Sequence, residues 1–310
     1  MTIKTARRRN LLAAAALAAA TAFAAVLLPP PCVARAAEPI PAAYRIGGWA
    51  IGCQAYSFNR YSVIEAIQKT ADAGGKIIEF FPGQKIGLDA TDARLGADTS
   101  DEAIAKIKDA LAKRGVLAVS FGVVGLPANA VESRKVFAFA KKMGIRTIVT
   151  EPSENALDTI ERLVKEYDIQ VAIHNHPRQP NNPNYKVWDP NYVLSLVKNR
   201  DKRIGACADT GHWVRSGIKP VDALRILRGR VLELHLKDLH EFSPGGHDVP
   251  FGTGVSDIKG ILDELRAQNF DGNLSIEYEY NWETSVPEVA QCVGFVRGYA
   301  AAAGTAARRR

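Results

Sequence analysis

Short β-rich runs alternate with longer amphipathic segments eight times from residue 49 onward. The β-rich runs are mostly apolar, as in IGACAD and VLELHL, which is typical of parallel strands covered on both faces. Eight βα units without a linker-like change of composition predict a single (β/α)8 TIM barrel of the α/β class. The predicted strands are Ala50–Tyr56, Lys76–Phe80, Leu117–Gly122, Thr147–Glu151, Gln170–His174, Ile204–Asp209, Val231–Leu236 and Asn273–Glu277.

A doubly wound open sheet is the alternative architecture for the same alternation. It is disfavoured because the first strand is followed by YSFNR and not by a glycine-rich phosphate-binding turn. Helix start and stop signals flank several intervening segments, including Ser100, Ser256 or Asp257 as N-caps and Gly144 as a C-terminal glycine. The predicted helices are Val63–Ala73, Asp101–Arg114, Ser133–Met143, Ala156–Tyr167, Asn191–Asn199, Val221–Leu227, Ile258–Asn269 and Val286–Ala302.

The first 36 residues have the composition of an export signal. They contain basic residues and no acid, then an apolar run from Leu11 to Leu28, then an A-x-A cleavage pattern before Ala37. The pair Arg8-Arg9 resembles a twin-arginine signal, and an uncleaved anchor is the alternative. The predicted organisation is a signal over 1–36, a lead-in over 37–48, the barrel over 49–302 and a disordered basic tail over 303–310. The mature protein is expected to be periplasmic or secreted, without stable membrane insertion.

The formal net charge of +7 comes from the two ends of the chain. Between them basic and acidic residues nearly balance, so the barrel lacks the basic face of a nucleic-acid-binding protein, and no nucleic-acid partner is expected. Three widely spaced cysteines, Cys53, Cys207 and Cys292, follow the signal. Their odd number argues against a disulfide framework and predicts buried thiols.

Charged or imidazole side chains follow five consecutive predicted strands, the fourth to the eighth. The carboxyl ends of barrel strands meet at one rim, so these groups converge there. Three carboxylates and one imidazole would repel one another unless a cation neutralised them. Oxygen-rich ligation without thiolate favours Mn²⁺ and leaves Mg²⁺, Co²⁺ or Zn²⁺ open. The sequence therefore predicts one divalent metal ion held by Glu151, Asp209, His235 and Glu277.

Two alternatives stay open for these residues. Each carboxylate on its own could pair with a basic neighbour, and Glu279 shares a strand face with Glu277 and could replace it. We prefer Glu277 because it is nearer to the strand.

Further polar and aromatic residues are predicted to surround the metal ion. We expect His174, His176, Trp213 and His247 to bind substrate, although strand-end histidines and rim aromatics are often structural. Lys237 could instead form a rim ion pair with Asp238. The long loops Pro177–Pro190 and Leu239–Val255 emerge on the same rim and are predicted to form pocket walls.

The order of these motifs resembles the xylose isomerase-like TIM-barrel superfamily. The motifs are TEP, IHNHP, DTGHW, HLKD, VPFGTG and SIEYE. That group includes ketose 3-epimerases, inosose dehydratase and relatives of endonuclease IV. The resemblance implies that the quartet binds metal, that Glu151 and Glu277 also act as paired acid and base, and that His212 contacts substrate. With Lys237 added, the predicted catalytic residues are Glu151, Glu277, His212 and Lys237.

The chain also departs from parts of that group. His174-Asn175-His176 looks more like the dehydratase-type members than the ketose epimerases. Glu79 matches a second-strand glutamate of the endonuclease IV proteins, but the third strand ends Ser120-Phe121-Gly122 without their histidines. Phosphodiester hydrolysis is therefore the least favoured activity.

The leading functional hypothesis is an exported, metal-dependent sugar isomerase or epimerase that abstracts a proton α to a carbonyl. The first alternative is a lyase or dehydratase that eliminates a β-leaving group, for example from 3-keto-glycosides. The second alternative is a non-catalytic sugar-binding barrel. The expected partner is a sugar, keto-sugar or glycoside, and the sequence leaves a homo-oligomer open.

Overall fold

The computed structural model describes residues 39–87 and 93–308. The predicted signal over 1–36 lies outside the described residues. A compact unit, Ala36–Arg310, contains all the described elements. In the described part of the chain, no helix combines the length and the apolar character needed to cross a bilayer.

Eight parallel strands close into a barrel in the order β1-β10-β7-β6-β5-β4-β3-β2, which confirms the predicted architecture. A short antiparallel pair, β8 and β9, lies in the loop between the last two barrel strands. Three predicted strands have the observed bounds, four end one or two residues earlier than predicted, and β2 begins one residue later. The strands are β1 Ala50–Gln54, β2 Ile77–Phe80, β3 Leu117–Phe121, β4 Thr147–Thr150, β5 Gln170–His174, β6 Ile204–Asp209, β7 Val231–Leu236, β8 Asp238–Leu239, β9 Asp248–Val249 and β10 Asn273–Ile276.

The helices surround the barrel, and several predicted caps are present. Ser100 and Asp257 accept hydrogen bonds from the first turns of their helices, and Gly144 adopts a left-handed conformation. The last helix continues past its predicted end at Ala302. The helices are α1 Val63–Asp72, α2 Asp101–Arg114, α3 Ala130–Met143, α4 Leu157–Tyr167, α5 Pro190–Val197, α6 Thr210–Arg215, α7 Pro220–Ile226, α8 Ile258–Ala267 and α9 Val286–Arg308.

The hydrophobic core consists of a large outer layer and two small clusters, one of which positions the site. The outer layer includes Leu234 and Leu236 of β7. Val149, Ala172 and Cys207 form the small cluster that positions the site. Side chains two positions apart on a strand share a face. The residues two positions after these three therefore continue the same face at the carboxyl ends of β4, β5 and β6. They are Glu151, His174 and Asp209. The three cysteines are buried and free, as predicted.

Asp201 gives the fold a pH-dependent contribution to stability. Hydrogen bonds from Arg203 lower the pKa of Asp201 to about 2, although partial burial opposes this shift. The unfolded pKa is about 3.9, so the stabilisation is complete above that pH and is lost as the pH falls through the folded pKa. We expect Asp201→Asn to lower the free energy of unfolding by about 1–2 kcal/mol at pH 7.

Urea denaturation at pH 7 and at pH 2.5 would measure this contribution. The difference between wild type and Asp201→Asn should shrink at the lower pH. Asp222→Asn is the matched control, because its ion pair with Arg225 is exposed on both sides. An equal effect of the two substitutions would contradict the prediction.

Candidate metal centre

Four buried side chains meet at the carboxyl ends of neighbouring strands. They are His174 on β5, Asp209 on β6, His235 on β7 and Glu277 directly after β10. One ligand atom from each lies within 4.8 Å of those of the other three. The barrel register explains the convergence, because Asp209 pairs with His235 across β6 and β7. Asn175 reinforces it by exchanging two hydrogen bonds with the backbone of Asp209.

Unsatisfied polar atoms show that this cluster fits a cation. Within residues 39–87 and 93–308, His174 Nε2 and His235 Nδ1 are buried without a hydrogen-bond partner, and Asp209 Oδ2 forms an ion pair with Lys237 but no hydrogen bond. Asp209 Oδ2 is 3.6 Å from His174 Nε2 and 3.8 Å from His235 Nδ1, and Glu277 Oε2 is 3.2 Å from His235 Nδ1. Buried polar groups rarely remain unpaired, so atoms that converge in this way are typical of metal ligands. Two imidazoles and two carboxylates suit Zn²⁺, Mn²⁺ or Co²⁺.

Glu151, the fourth predicted ligand, lies next to this cluster, in a second group of possible ligand residues with His174 and His176. The structure brings three of the four predicted ligands together and puts His174 beside them in place of Glu151. The Glu151 carboxylate instead accepts hydrogen bonds from His174 Nδ1 at 3.0 Å and from the Tyr185 hydroxyl at 3.0 Å. Strand β4 ends at Thr150, so Glu151 lies beyond the strand and its carboxylate reaches the segment after β5.

The partnership with Glu151 fixes the orientation of His174. A carboxylate that accepts from Nδ1–H leaves Nε2 free to face the cluster, as is common for metal-binding histidines. Burial lowers the pKa of His174, but Asp209 and Glu151 outweigh it and raise that pKa. Glu151 itself is ionised, because hydrogen bonds from His174 and His176 overcome its burial and lower its pKa to about 2.

His235 is held by a second buried carboxylate. Its Nε2 lies 3.0 and 3.1 Å from the two oxygens of Glu79, which directs Nδ1 toward Asp209 and Glu277. A further carboxyl group, Glu233, lies on the same strand and bonds the Ser120 hydroxyl. Burial, with the charge of Glu79, raises the pKa of Glu233 to about 8. Each histidine of the cluster therefore has a carboxylate partner, half-buried Glu151 for His174 and buried Glu79 for His235.

Lys237 contributes a buried positive charge to the cluster. Its Nζ lies 3.1 Å from Asp209 Oδ2, 2.7 Å from Glu277 Oε2 and 2.6 Å from Glu279 Oε2. Burial opposes its charge, but these carboxylates raise the pKa of Lys237 well above its usual range. Gly211 makes room for it, since a Cβ there would lie 2.8 Å from the Lys237 side chain.

The alternative of a rim ion pair between Lys237 and Asp238 is not observed. The Asp238 carboxylate instead accepts hydrogen bonds from the backbone N–H groups of Gly252, Gly254 and Ser256. It therefore holds the loop that follows β9.

His212 is a neutral imidazole at the edge of the cluster. Arg215 Nη1 donates to His212 Nδ1 at 3.0 Å, so the ring proton must be on Nε2. Burial lowers the pKa of His212 well below its usual range, although Asp209 opposes this shift. Arg215 also contacts Glu279 and Asp248. The ring is therefore suited to donating a hydrogen bond.

A cavity of about 350 Å³ opens above the cluster. It is lined by three of the predicted substrate-contacting residues, His174, His176 and His212, together with Glu277 and Glu279. The rest of its lining is formed by Gln54, Tyr56, Phe81, Pro82, Gly122 and Val123.

Two predicted substrate-binding residues lie elsewhere. Trp213 is buried in the hydrophobic core, so its ring cannot contact a ligand in the cavity. His247 stacks between His240 and Tyr280, with ring centroids 3.8 and 4.2 Å away, and does not line the cavity. Each of the two long rim loops contributes one residue that contacts a residue of the site. Tyr185 donates a hydrogen bond to Glu151, and Asp248 accepts one from Arg215.

Comparison with known proteins identifies the fold family. The family described as xylose isomerase-like TIM barrel matches residues 67–294. The chain belongs to this family. This agrees with the resemblance seen in the sequence motifs.

Three relatives show the range of this xylose isomerase-like family. An uncharacterized protein from Parabacteroides distasonis is 34% identical, and the match covers 80% of this chain and 98% of that chain with a TM-score of 0.64. A D-psicose 3-epimerase from Clostridium cellulolyticum, solved with D-tagatose, shares the fold at 14% identity and a TM-score of 0.61, covering 81% of this chain and 99% of that one. An inosose dehydratase from Clostridium tetani is 28% identical over 145 residues, 40% of this chain and 45% of the relative. The chain thus spans about half the length of that curated relative.

Proposed function

We propose that this protein is a divalent-metal-dependent sugar isomerase or epimerase that removes and returns a proton next to a carbonyl. The observation that carries the proposal is the convergence of four buried side chains at the base of a cavity that also holds proton-accepting groups; they are His174, Asp209, His235 and Glu277. A divalent cation bound by these residues would polarise a carbonyl or hydroxyl oxygen of the substrate.

Two groups from different strand ends can move the proton. His176 is half-exposed in the cavity, and its Nδ1 is 2.5 Å from Glu151 Oε1, so Nε2 can exchange a proton with a ligand. Glu277 faces the same cavity, and although burial opposes its ionisation, Lys237 and His235 lower its pKa and keep it a carboxylate. We assign Glu277 as the base and His176, oriented by Glu151, as the acid.

This assignment changes the predicted acid–base pair. Glu151 does not line the cavity, and its carboxylate accepts hydrogen bonds from His174, His176 and Tyr185, so it acts through His176 and not on the substrate directly. Proton removal by Glu277 and return by His176 would invert the carbon when the two groups approach from opposite faces. Neutral His212 would donate a hydrogen bond to a substrate oxygen.

A lyase that eliminates a β-leaving group is the second candidate. Two observations favour it. The first is the sequence similarity to an inosose dehydratase. The second is a larger groove that shares a wall with the 350 Å³ cavity above the cluster, which we call the metal cavity. The first step would be the same proton abstraction. His176 would then protonate the departing oxygen.

Metal analysis of the purified protein and deuterium exchange in heavy water test the proposal together. We expect a bound divalent metal and deuterium at the carbon next to the carbonyl of ketoses or 3-keto-glycosides. Release of the aglycone from a 3-keto-glycoside would select the lyase. A protein that binds sugars with neither metal nor exchange would instead be the non-catalytic barrel.

Glu79 provides a separate test of the metal centre because it touches His235 and does not line the cavity. Carboxylate partners of metal-binding histidines typically change metal affinity by 10–100-fold. We expect Glu79→Gln to weaken Mn²⁺ binding by about tenfold or more, measured by titration calorimetry. Glu132→Gln, at an exposed position, is the control. Unchanged Mn²⁺ affinity in Glu79→Gln would show that His235 is not a ligand.

A further inference from the structure

A second groove lies beside the metal cavity and is not used by the chemistry described above. Its volume is about 800 Å³, against about 350 Å³ for the metal cavity. Tyr56 and Phe81 line both cavities. A ligand anchored at the metal cluster can therefore extend past these two rings into the groove.

Aromatic side chains form the wall between the cavities. Tyr56 is edge-on to Phe81, with ring centroids 5.1 Å apart, and edge-on to Trp282, at 5.6 Å. Tyr56 is 38% exposed, which is unusual for a large ring held by two others. Such edge-on packing leaves ring faces available for the flat face of a sugar or of an arene.

Two basic side chains, Arg60 and Arg94, are among the described residues that line the groove. Within residues 39–87 and 93–308, Glu65 is the one carboxylate of that lining. Glu65 Oε2 accepts hydrogen bonds from the Ser62 N–H and hydroxyl at 2.8 and 2.7 Å, so it is engaged as part of a helix cap. The field inside such a concave surface favours an anionic ligand.

We propose that this groove is a second subsite, for a ring attached to the sugar that the metal cavity holds, and that it prefers a ring with a carboxylate. This rests on the proposed function and narrows it: the substrate is a glycoside with an acidic cyclic substituent and not a free monosaccharide. The substituent ring packs on Tyr56 and Trp282, and the carboxylate faces Arg60.

Binding and turnover on matched glycosides test the subsite. The probes are the methyl, 4-methylphenyl and 4-carboxyphenyl glycosides of several hexoses for calorimetry on Mn²⁺-loaded protein, and their 3-keto forms for kinetics. The wild type should bind the 4-carboxyphenyl form more tightly than the methyl form. Trp282→Ala should reduce affinity and kcat/KM for both aryl forms by roughly three- to tenfold and leave the methyl form unchanged.

Arg60→Gln separates charge from stacking. We expect it to remove the preference for 4-carboxyphenyl over 4-methylphenyl, a loss of up to about fivefold for an exposed ion pair. Phe242→Ala, another exposed aromatic, and Arg114→Gln, on an outer helix, are the controls and should change neither ratio.

The two proposals fail in different ways. If Trp282→Ala weakens tight binding of aryl glycosides but no 3-keto form is turned over, the subsite is supported and the enzymatic function is rejected. Turnover that is equal for methyl and aryl forms, or that Trp282→Ala lowers equally for both, would reject the subsite and keep the function. A wild type that shows no preference for aryl over methyl glycosides in binding also rejects the subsite.

Discussion

Glu277→Gln is expected to lower kcat/KM by about 10²–10⁴-fold, the range that a positioned acid or base contributes. The amide keeps the size of the side chain but cannot accept a proton from carbon. It also removes a negative charge that faces His235 and Lys237 at 3.2 and 2.7 Å. Initial rates and deuterium exchange on the same sugar would measure the loss, and both should fall together because they share the proton-abstraction step.

Glu283→Gln is the matched control for this substitution. Glu283 is exposed in the segment that follows β10 and does not line either cavity, so its replacement should leave the rate unchanged. Metal content must be measured for both variants, since lost metal and a lost base would both lower the rate. A Glu277→Gln protein with bound metal and wild-type exchange would remove Glu277 from the assigned role.

The sequence was sufficient to predict the barrel because each strand and helix leaves a local signal. Short, mostly apolar runs such as Ile204–Asp209 and Val231–Leu236 are typical of strands covered on both faces, and the structure reproduces both bounds. Convergence of the strand-end residues then follows from topology, since all parallel strands present their carboxyl ends at one rim. The prediction of a cation site at this rim agrees with the four-residue cluster.

The members of the four-residue cluster were not fully predictable from the sequence, because they depend on side-chain contacts across the rim. Glu151 and Glu277 each directly follow a strand, yet Glu277 is in the cluster, whereas the Glu151 carboxylate is bonded by His174 and by Tyr185 from the loop after β5. Sequence spacing does not report such a difference. Tyr185 and Arg215 were missed for a related reason: each acts across a loop, on partners 34 and up to 64 residues away in the chain.

Glu79 carried a signal that could have been used. A charged residue inside the short apolar strand IIEF is expected to be buried, and buried carboxylates need a partner. The structure supplies that partner in His235. For Trp213 the sequence signal was misleading. Its ring is next to a site residue in the sequence, which suggested ligand binding, but α6 directs the ring into the core.

Lys237→Met is expected to destabilise the metal-free protein by about 3–5 kcal/mol, the usual cost of breaking a buried ion pair. The ammonium group separates Asp209, Glu277 and Glu279, and its side chain is fully buried, so water cannot replace it. Methionine fills a similar volume without charge. Three carboxylates then face one another, and thermal denaturation should show a decrease in Tm of about 10 °C.

A divalent cation should offset this loss, which connects the stability of the fold to the metal centre. Without the ammonium, Asp209 and Glu277 attract a cation more strongly, so added Mn²⁺ should raise the Tm of Lys237→Met by more than that of the wild type. Lys259→Met is the control, since its pair with Asp263 is exposed and its Tm should barely change with or without metal. If Mn²⁺ stabilised Lys237→Met no more than wild type, the lysine and the cation would not share their carboxylates, and the cluster would be a structural ion-pair network.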